Sequence, residues 1–224
     1  MKRATAFGSP ASRGLCLLLG TVVLAASLSA CAPLVVGTAV AGGAMVVTDR
    51  RTSGAQLEDQ GIELRASNRL REQLGERGNV SVTSYNRQVL LTGEVPTEAD
   101  KAAVEKTVSG VENVRGTVNE LAVLGASSLT QRSSDLLITG RVKAAMVDAR
   151  DLSANVVKVV TTRGTVYLLG RVTEREATRA TDIARNTQGV QRVVRVFEII
   201  SDEELARMQP RPTPAPVKDA TPPK

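Results

Sequence analysis

Two related stretches define the architecture of this chain: Asn79-Val-Ser-Val-Thr-Ser-Tyr-Asn-Arg-Gln-Val-Leu-Leu-Thr-Gly-Glu-Val95 and Asn155-Val-Val-Lys-Val-Val-Thr-Thr-Arg-Gly-Thr-Val-Tyr-Leu-Leu-Gly-Arg-Val172. In each stretch a short polar break separates two apolar-rich runs, which is the pattern of two β-strands joined by a turn. Gly93 and Gly170 occupy the same place in the two copies, 77 residues apart. A repeat this long indicates tandem domains and not a solenoid.

Helical patterns lie before each pair of strands. Apolar residues recur there about every fourth residue, which is the spacing of one face of an α-helix. They are Ile62, Ala66, Leu70 and Leu74 in the first copy, and Ile138, Val142, Met146 and Ala149 in the second. Each copy is therefore expected to begin with a helix that packs its apolar face on the strands that follow.

A second helix and a third strand are predicted after each pair. Thr97 with Asp100, and Thr173 with Glu176, have the spacing of a capping box at a helix start. The closing strands are predicted at 114–120 and 192–200. Each copy thus has the order helix, strand, strand, helix, strand.

These patterns predict an α+β fold with two domains, at residues 57–125 and 131–203. Each domain is expected to be a three-stranded mixed sheet covered by two helices, in the order αββαβ. A unit of about 70 residues buries only about 60% of its unfolded surface, so each has modest stability alone. Gly93 and Gly170 lie inside strand patterns, where glycine marks a bulge or a close backbone approach. We predict structural roles for both, with a helix crossing closely over the sheet; the alternative is a ligand contact.

The N-terminal region has the pattern of a lipoprotein leader. A basic start is followed by an apolar run, residues 15–28, that is too short for an ordinary membrane-spanning helix. The run ends in Leu28-Ser29-Ala30-Cys31, which resembles the bacterial lipobox. We predict a signal peptide at 1–30 and a lipidated N-terminus at Cys31, carrying a diacylglycerol and an N-acyl chain. The alternative is an ordinary secretory signal with a coincidental cysteine.

Two further segments lie outside the repeats. Residues 31–56 are predicted to form the lipidated N-terminus and a flexible tether. The apolar part of that segment, 32–47, is too short and too rich in glycine to span about 30 Å of hydrocarbon comfortably. The alternative is that it skims the bilayer or packs on a folded domain. Residues 209–224 hold six of the nine prolines, which predicts a disordered tail with polyproline II character.

Composition excludes several classes of chemistry. The chain has no histidine, which rules out Ser-His-Asp and Cys-His catalysis and the commonest zinc sites. Without the leader the only cysteine is Cys31, whose sulfur the predicted lipid occupies, so neither a disulfide nor a reactive thiol is expected. The net charge of +6 falls to +3 without the leader, and this balance does not suit a general nucleic-acid binder. We predict that the chain is not an enzyme, holds no metal or other cofactor and binds no nucleic acid.

The predicted lipobox and the two repeats resemble the dual BON-domain lipoproteins of Gram-negative bacteria. The motifs that carry the resemblance are Val35-Val-Gly-Thr-Ala39, Leu91-Thr-Gly-Glu-Val95, Asn155-Val156, Leu169-Gly-Arg-Val-Thr-Glu-Arg-Glu-Ala177, Gly189-Val190 and Arg192-Val193. The resemblance covers the chain from Cys31 to Ile200. It implies a periplasm-facing outer-membrane lipoprotein that binds anionic phospholipid, such as phosphatidylglycerol or cardiolipin, and helps to maintain envelope integrity.

The resemblance also implies where the lipid contact lies, namely on the first helix of the second domain. The implied contact residues are Leu137, Gly140, Arg141 and Ala144. Where a family member has a membrane-facing tryptophan, this chain has Leu137, which supplies apolar area but lacks the amphipathic ring that favours the headgroup zone. The residue after Cys31 is Ala32 and not aspartate, and by the sorting rule of enteric lipoproteins this favours the outer membrane over the inner membrane.

The charge distribution agrees with a contact in the second domain. Residues 57–124 carry 8 basic and 11 acidic side chains, whereas residues 131–203 carry 12 basic and 9 acidic ones. An anionic bilayer therefore attracts the second domain and mildly repels the first, by about 1 kcal/mol per basic group near the surface. Leu137 lies about 100° from Ile138 on a helix, off the centre of the core stripe. The alternative is that Leu137 packs against the first domain.

Two other functions compete with lipid binding. The first is a protein adaptor that presents sheet edges or helices to an outer-membrane assembly complex, with the proline-rich tail as a docking strand or a spacer. The second is an enzyme built on a convergent cluster of acidic residues. Glu174 and Glu176 lie near a helix start, where capping is the simpler role.

Overall fold

The computed structural model describes residues 49–75 and 77–208. The predictions for the leader, for Cys31, for the first part of the tether and for the proline-rich tail lie outside the described residues. Within the described ranges the predicted α+β fold of two αββαβ units is confirmed.

Each repeat forms the predicted order of elements. The first contains α1 (Ser53–Leu74), β1 (Asn79–Tyr85), β2 (Gln88–Val95), α2 (Glu98–Ser109), β3 (Gly116–Asn119) and β4 (Ala122–Val123). The second contains α3 (Leu129–Asp148), a 3-10 turn (Ala154–Val156), β5 (Lys158–Thr162), β6 (Thr165–Val172), α4 (Glu174–Arg185) and β7 (Arg192–Ile199), and a short helix α5 (Asp202–Met208) follows. The 3-10 turn delays the first strand of the second repeat, which was predicted near residue 155.

Each sheet is mixed: its central strand, β2 or β6, pairs antiparallel with the strand before it and parallel with the strands after it. β3 and β4 continue one another in register, because Gln88 faces Gly116 and Glu94 faces Ala122 at the same offset. Leu121, between them, turns into the core and is only 2% exposed, which interrupts the strand. In the described part of the chain the first sheet thus has four strands instead of the predicted three, and the second has three.

A buried aspartate on the first helix of each domain holds a hairpin turn. Asp59 accepts hydrogen bonds from the backbone N–H groups of Asn86 (2.8 Å) and Arg87 (2.7 Å). Both turn residues have positive φ, 49° and 66°, as a two-residue type I′ turn requires. Asp135 accepts in the same way from the turn 163–164, at 2.8 Å for each N–H. The two repeats thus share this contact between an aspartate and a turn, and it fixes the register of each hairpin.

One face of each sheet is covered by the two helices of its own domain. The predicted stripe on α1 is buried, and so is the stripe on α3 as far as Met146, whereas Ala149 is only half-buried at the end of that helix. Thr173 and Glu176 form the predicted capping box of α4. At the start of α2 the carboxylate of Asp100 accepts from the Thr97 hydroxyl (2.6 Å). That carboxylate does not accept from the backbone N–H of Thr97, so the predicted capping box is incomplete there.

The other faces of the two sheets pack against each other. Tyr85 and Leu90 of the first domain and Tyr167 and Leu169 of the second form a third apolar cluster, and each is less than 5% exposed. The two domains in the described part of the chain therefore form four layers, in the order helices, sheet, sheet, helices. Both repeats belong to one compact unit. We call the contact between the two sheets the seam.

Among the residues that the structure describes, three ion pairs cross the seam, and they share one polarity. Carboxylates of the first domain meet cations of the second: Glu63 with Lys158 at 3.1 Å, Glu94 with Arg163 at 3.7 Å, and Glu120 with Arg192 at 2.6 Å. Some of the opposite charges of the two domains are therefore paired with each other across the seam. From the sequence, a bilayer was the only predicted partner for the charge imbalance between the domains.

Gly93 and Gly170 face close backbone neighbours. A Cβ at Gly93 would overlap the carbonyl oxygen of Asn79 in β1, and the φ angle of Gly93 is +114°. A Cβ at Gly170 would meet the carbonyl oxygen of Val156 in the 3-10 turn. The prediction of a helix crossing over these glycines is therefore wrong, because the close neighbour is the preceding strand or turn.

Candidate functional site

The helix α3 lies in an outer layer and has two different faces. Ser128 caps it, since its hydroxyl accepts from the N–H of Gln131. Its inner face buries the predicted stripe against the second sheet. Because that sheet is covered from behind by the first domain, the outer face of α3 is turned away from the first domain.

The outer face of α3 exposes an unusual amount of apolar surface. Leu129, Leu136, Leu137 and Val147 are 79%, 74%, 63% and 69% exposed. They are half of the eight large apolar side chains that are exposed in the described part of the chain. With about 100° of rotation per residue they fall within one arc of about 100°. We call this arc, together with the exposed Gly140 and Ala144 inside it, the apolar strip.

Charged side chains border the apolar strip on both edges. Arg141 and Asp148 follow one edge, and Arg132 and Lys143 follow the other; all four are exposed. The Arg141 guanidinium also donates to the carbonyl of Gln188, at 3.4 Å, which holds its stem against the end of the neighbouring helix. An apolar strip between cations is the arrangement of a helix that lies in the interface of an anionic bilayer.

The structure brings together the four residues that were predicted to contact lipid. Leu137, Gly140, Arg141 and Ala144 are all exposed on the outer side of α3. The alternative, in which Leu137 packs against the first domain, is wrong because that side chain is 63% exposed in the outer layer. The contact with lipid stays a prediction.

Three members of the apolar strip were not predicted from the sequence, namely Leu129, Leu136 and Val147. Their signal was present: residues 129, 136, 140 and 147 recur at intervals of seven, four and seven, which is one face of a helix. Two apolar faces on one helix are ambiguous without a structure. Only the packing of the second sheet shows which face is covered.

The corresponding helix of the first domain lacks this strip. Because Asp59 and Asp135 hold equivalent turns, the counterparts of Leu136, Leu137 and Val147 are Gln60, Gly61 and Arg71. Large exposed apolar side chains on α1 are limited to Leu57 and Leu64 in the described residues. The apolar strip is thus a property of the second repeat and not of the fold.

Other kinds of site have little support in residues 49–75 and 77–208. These residues include no group of three or more acidic or cysteine side chains placed to hold a metal ion. Their helices are all too short or too polar to cross a bilayer. Glu176 is used in the capping box, and the exposed Glu174 lies 3.5 Å from Arg195.

Two αββαβ units in one chain are the mark of a tandem BON-domain protein. The sequence model of the BON domain matches residues 59–125 and 134–201. Outer membrane lipoprotein DolP of Haemophilus influenzae is 39% identical over 192 residues, which are 83% of this chain and 95% of that protein. The chain belongs to the dual BON-domain family of DolP-like proteins.

Two more distant similarities complete the comparison. The 21 kDa hemolysin of Actinobacillus pleuropneumoniae is 32% identical over 154 residues, 68% of this chain and 79% of that protein. A solved structure of CdsD, a structural protein of the type III secretion system of Chlamydia trachomatis, covers 68% of this chain and 96% of its own at 12% identity. Its TM-score of 0.25 is too low to carry an argument.

Proposed function

We propose that this protein is an outer-membrane lipoprotein that binds anionic phospholipid through the apolar strip of the second BON domain and so helps to maintain the cell envelope. The proposal depends above all on one observation, the exposed apolar strip of α3 with cations along both edges. The family supports an envelope protein without enzymatic activity, because the relative with 39% identity is named an outer membrane lipoprotein.

The energetics favour a shallow insertion. Full burial of a leucine contributes about 1.5–3 kcal/mol, so several side chains of the strip are enough for reversible binding. Each cation near an anionic surface adds about 1 kcal/mol, and Arg132, Arg141 and Lys143 border the strip. Phosphatidylglycerol and cardiolipin supply the negative headgroups that these cations would meet.

A lipid on Cys31 would keep the second domain close to a bilayer. A single myristoyl chain gives only marginal binding, while each further buried methylene adds about 0.8 kcal/mol, so a diacylglycerol with an N-acyl chain is an effectively permanent anchor. We propose that Cys31 carries this anchor and that Ala32 permits release to the outer membrane, with the domains facing the periplasm. Mass spectrometry of the protein from membranes tests the modification.

Substituting Leu137 by glutamate should weaken binding to phosphatidylglycerol or cardiolipin vesicles by about tenfold or more, because a charge replaces a side chain that enters the interface. The assay uses protein without residues 1–31, so that no acyl chain contributes, and co-sedimentation with vesicles gives the affinity. Vesicles of neutral phospholipid should bind the parent protein weakly.

Leu64→Glu is a matched control for this test. Leu64 lies on α1 of the first domain and is 64% exposed, compared with 63% for Leu137. Both changes add one negative charge at an exposed leucine, so neither should alter the fold. If both variants bind vesicles as well as the parent protein, the apolar strip is not the lipid site.

An adaptor function is a second candidate, favoured by a different surface. Leu57 and Leu64 are 71% and 64% exposed on α1, in the layer opposite α3. If α3 faces the bilayer, this layer faces away from it and is free for an outer-membrane assembly protein. Crosslinking in intact cells separates the two functions: an adaptor keeps its dominant crosslinked partner in the Leu137→Glu variant and loses it in Leu64→Glu.

A further inference from the structure

The segment that leads into the first domain touches the second domain first. The guanidinium of Arg50 donates to both carboxylate oxygens of Glu176, each at 2.7 Å, and to the carbonyl oxygen of Arg171 at 2.9 Å. The side chains of Arg50 and Glu176 are only 11% and 9% exposed. A bidentate arginine–carboxylate pair shielded from water is both strong and specific in geometry. Arg50 therefore joins positions 126 residues apart.

The next residue holds the first domain. Arg51 pairs with Asp59 at 2.8 Å, and its guanidinium lies 4.1 Å from the centre of the Tyr85 ring. Asp49 accepts from the Tyr85 hydroxyl at 3.3 Å and also pairs with Arg51. Asp59 holds the hairpin turn of the first domain and Tyr85 belongs to the seam. Residues 49–51 thus contact both domains at the place where the domains meet.

Within residues 49–75 and 77–208, no equivalent of the Arg50 contact is found at the first domain. The counterpart of Glu176 is Asp100, which meets Arg77 of its own repeat at 3.3 Å. That arginine side chain is 61% exposed, so the pair contributes little. Among the described residues, the N-terminal cap of α4 is the one whose carboxylate binds a buried arginine from outside its own repeat. The caps of α2 and α4 occupy equivalent positions in the two repeats, but their acidic side chains have different partners.

The protonation states agree with a persistent contact. Burial alone would raise the pKa of Glu176, but the hydrogen bonds from Arg50 and from the N–H of Thr173 outweigh it and hold that pKa below its ordinary value. Burial raises the pKa of Tyr85 to about 12, and the nearby Asp49 contributes in the same direction. At neutral pH Glu176 is therefore charged and Tyr85 keeps its proton, which both contacts need.

We infer that Asp49–Arg51 is a strap that fastens the N-terminal approach of the chain to the second domain and closes the seam at that end. The consequence for lipid binding rests on the proposed function, whereas the strap itself does not. An anchor at Cys31 would transmit its pull through the strap to the domain that carries the apolar strip. Along the sequence the first domain follows Cys31 and precedes the second domain. In the folded chain, however, the strap contacts the second domain directly.

Trypsin cleavage after Arg51 of the full chain tests the strap. A protease needs an extended, accessible backbone, so a strapped segment is cleaved only when it opens. Arg50→Gln should accelerate cleavage after Arg51 by about tenfold or more, since the lost hydrogen bonds involve charged groups. Glu176→Gln should also accelerate it, while glutamine keeps the capping box at that position. Mass spectrometry of the fragment that begins at Thr52 gives the rate.

Arg179→Gln is the matched control, because it removes an ion pair of the same helix, α4, without touching the strap. That pair joins Arg179 to Asp151 at 2.8 Å. Cleavage after Arg51 at the parental rate in Arg50→Gln would overturn the inference, as would equal acceleration in Arg179→Gln. A failure of the proposed function looks different, because the parent protein would then fail to bind anionic vesicles while the cleavage rates kept the expected order.

Discussion

Replacing Gly93 with alanine is expected to lower the free energy of unfolding by about 3 kcal/mol or more. The φ angle of +114° is one that a residue with a Cβ rarely adopts, and the added methyl group would overlap the carbonyl oxygen of Asn79. That oxygen belongs to the paired strand β1, so relief requires the two strands to separate. Urea denaturation followed by circular dichroism measures the loss.

Gly125→Ala is the control for this change. A Cβ at Gly125 meets no atom within 4 Å, and its φ angle is not positive, so the variant should unfold like the parent protein. Gly170→Ala should fall between the two, because it meets the Val156 carbonyl oxygen from an ordinary φ angle. If Gly93→Ala and Gly125→Ala have the same midpoint, the close approach between β1 and β2 does not limit stability.

Removing the carboxylate of Asp135 should cost a similar amount, about 3 kcal/mol, because two N–H groups, one buried and one partly buried, lose their acceptor at about 1–3 kcal/mol each. Asp135 accepts from the N–H groups of Arg163 and Gly164 at the turn between β5 and β6. Asp135→Ala should therefore loosen that hairpin, and amide hydrogen exchange at 163–164 should accelerate together with the fall in the urea midpoint.

Asp148→Ala separates this effect from a general loss of charge. Asp148 lies on the same helix but is exposed, so its removal should change stability by less than about 0.5 kcal/mol. Asp59→Ala should cost at least as much as Asp135→Ala, because Asp59 also accepts from the Ser84 hydroxyl and pairs with Arg51. Equal stability of Asp135→Ala and Asp148→Ala would show that the turn does not depend on the carboxylate.

Much of each domain could be predicted from local patterns. The apolar stripes of α1 and α3, the strand pairs, and the capping box of Thr173 and Glu176 depend on contacts within one repeat, and periodicity reports such contacts directly. The break between β3 and β4 was not predictable, because Leu121 leaves the strand for reasons of core packing. The aspartates that hold the turns were also missed, since a charged residue inside an apolar stripe is usually assigned to the solvent side.

The sequence contains a signal of the contact between the two sheets, although that contact was not predicted. Val89-Leu90-Leu91 and Leu168-Leu169 are unbroken apolar runs, which indicate a strand buried on both faces. A single domain offers only one covered face, so the second face needed a partner. The charge imbalance between the domains was explained by a bilayer, although three of the charged pairs lie across the seam. Long-range pairing of this kind depends on geometry that local spacing does not contain.

For the proposed lipid contact, the sequence indicated the helix and one edge of the apolar strip. Leu137 and Arg141 were reached through the resemblance to a family and through the angle that separates Leu137 from the core stripe. Leu136 and Val147 complete the strip, and their exposure follows from the layer order. Which side of a helix stays open is decided by everything packed around it.

Each copy of the duplicated unit leaves one face of its sheet to be covered by the other copy. A fragment released by a proteolytic nick, or a truncated translation product with one copy, would show water an uncovered sheet that includes Tyr85 and Leu90, or Tyr167 and Leu169. Such half-molecules would aggregate or recruit a stray copy as a substitute partner. Keeping both copies on one polypeptide ensures that each sheet always has the other copy at hand to cover it.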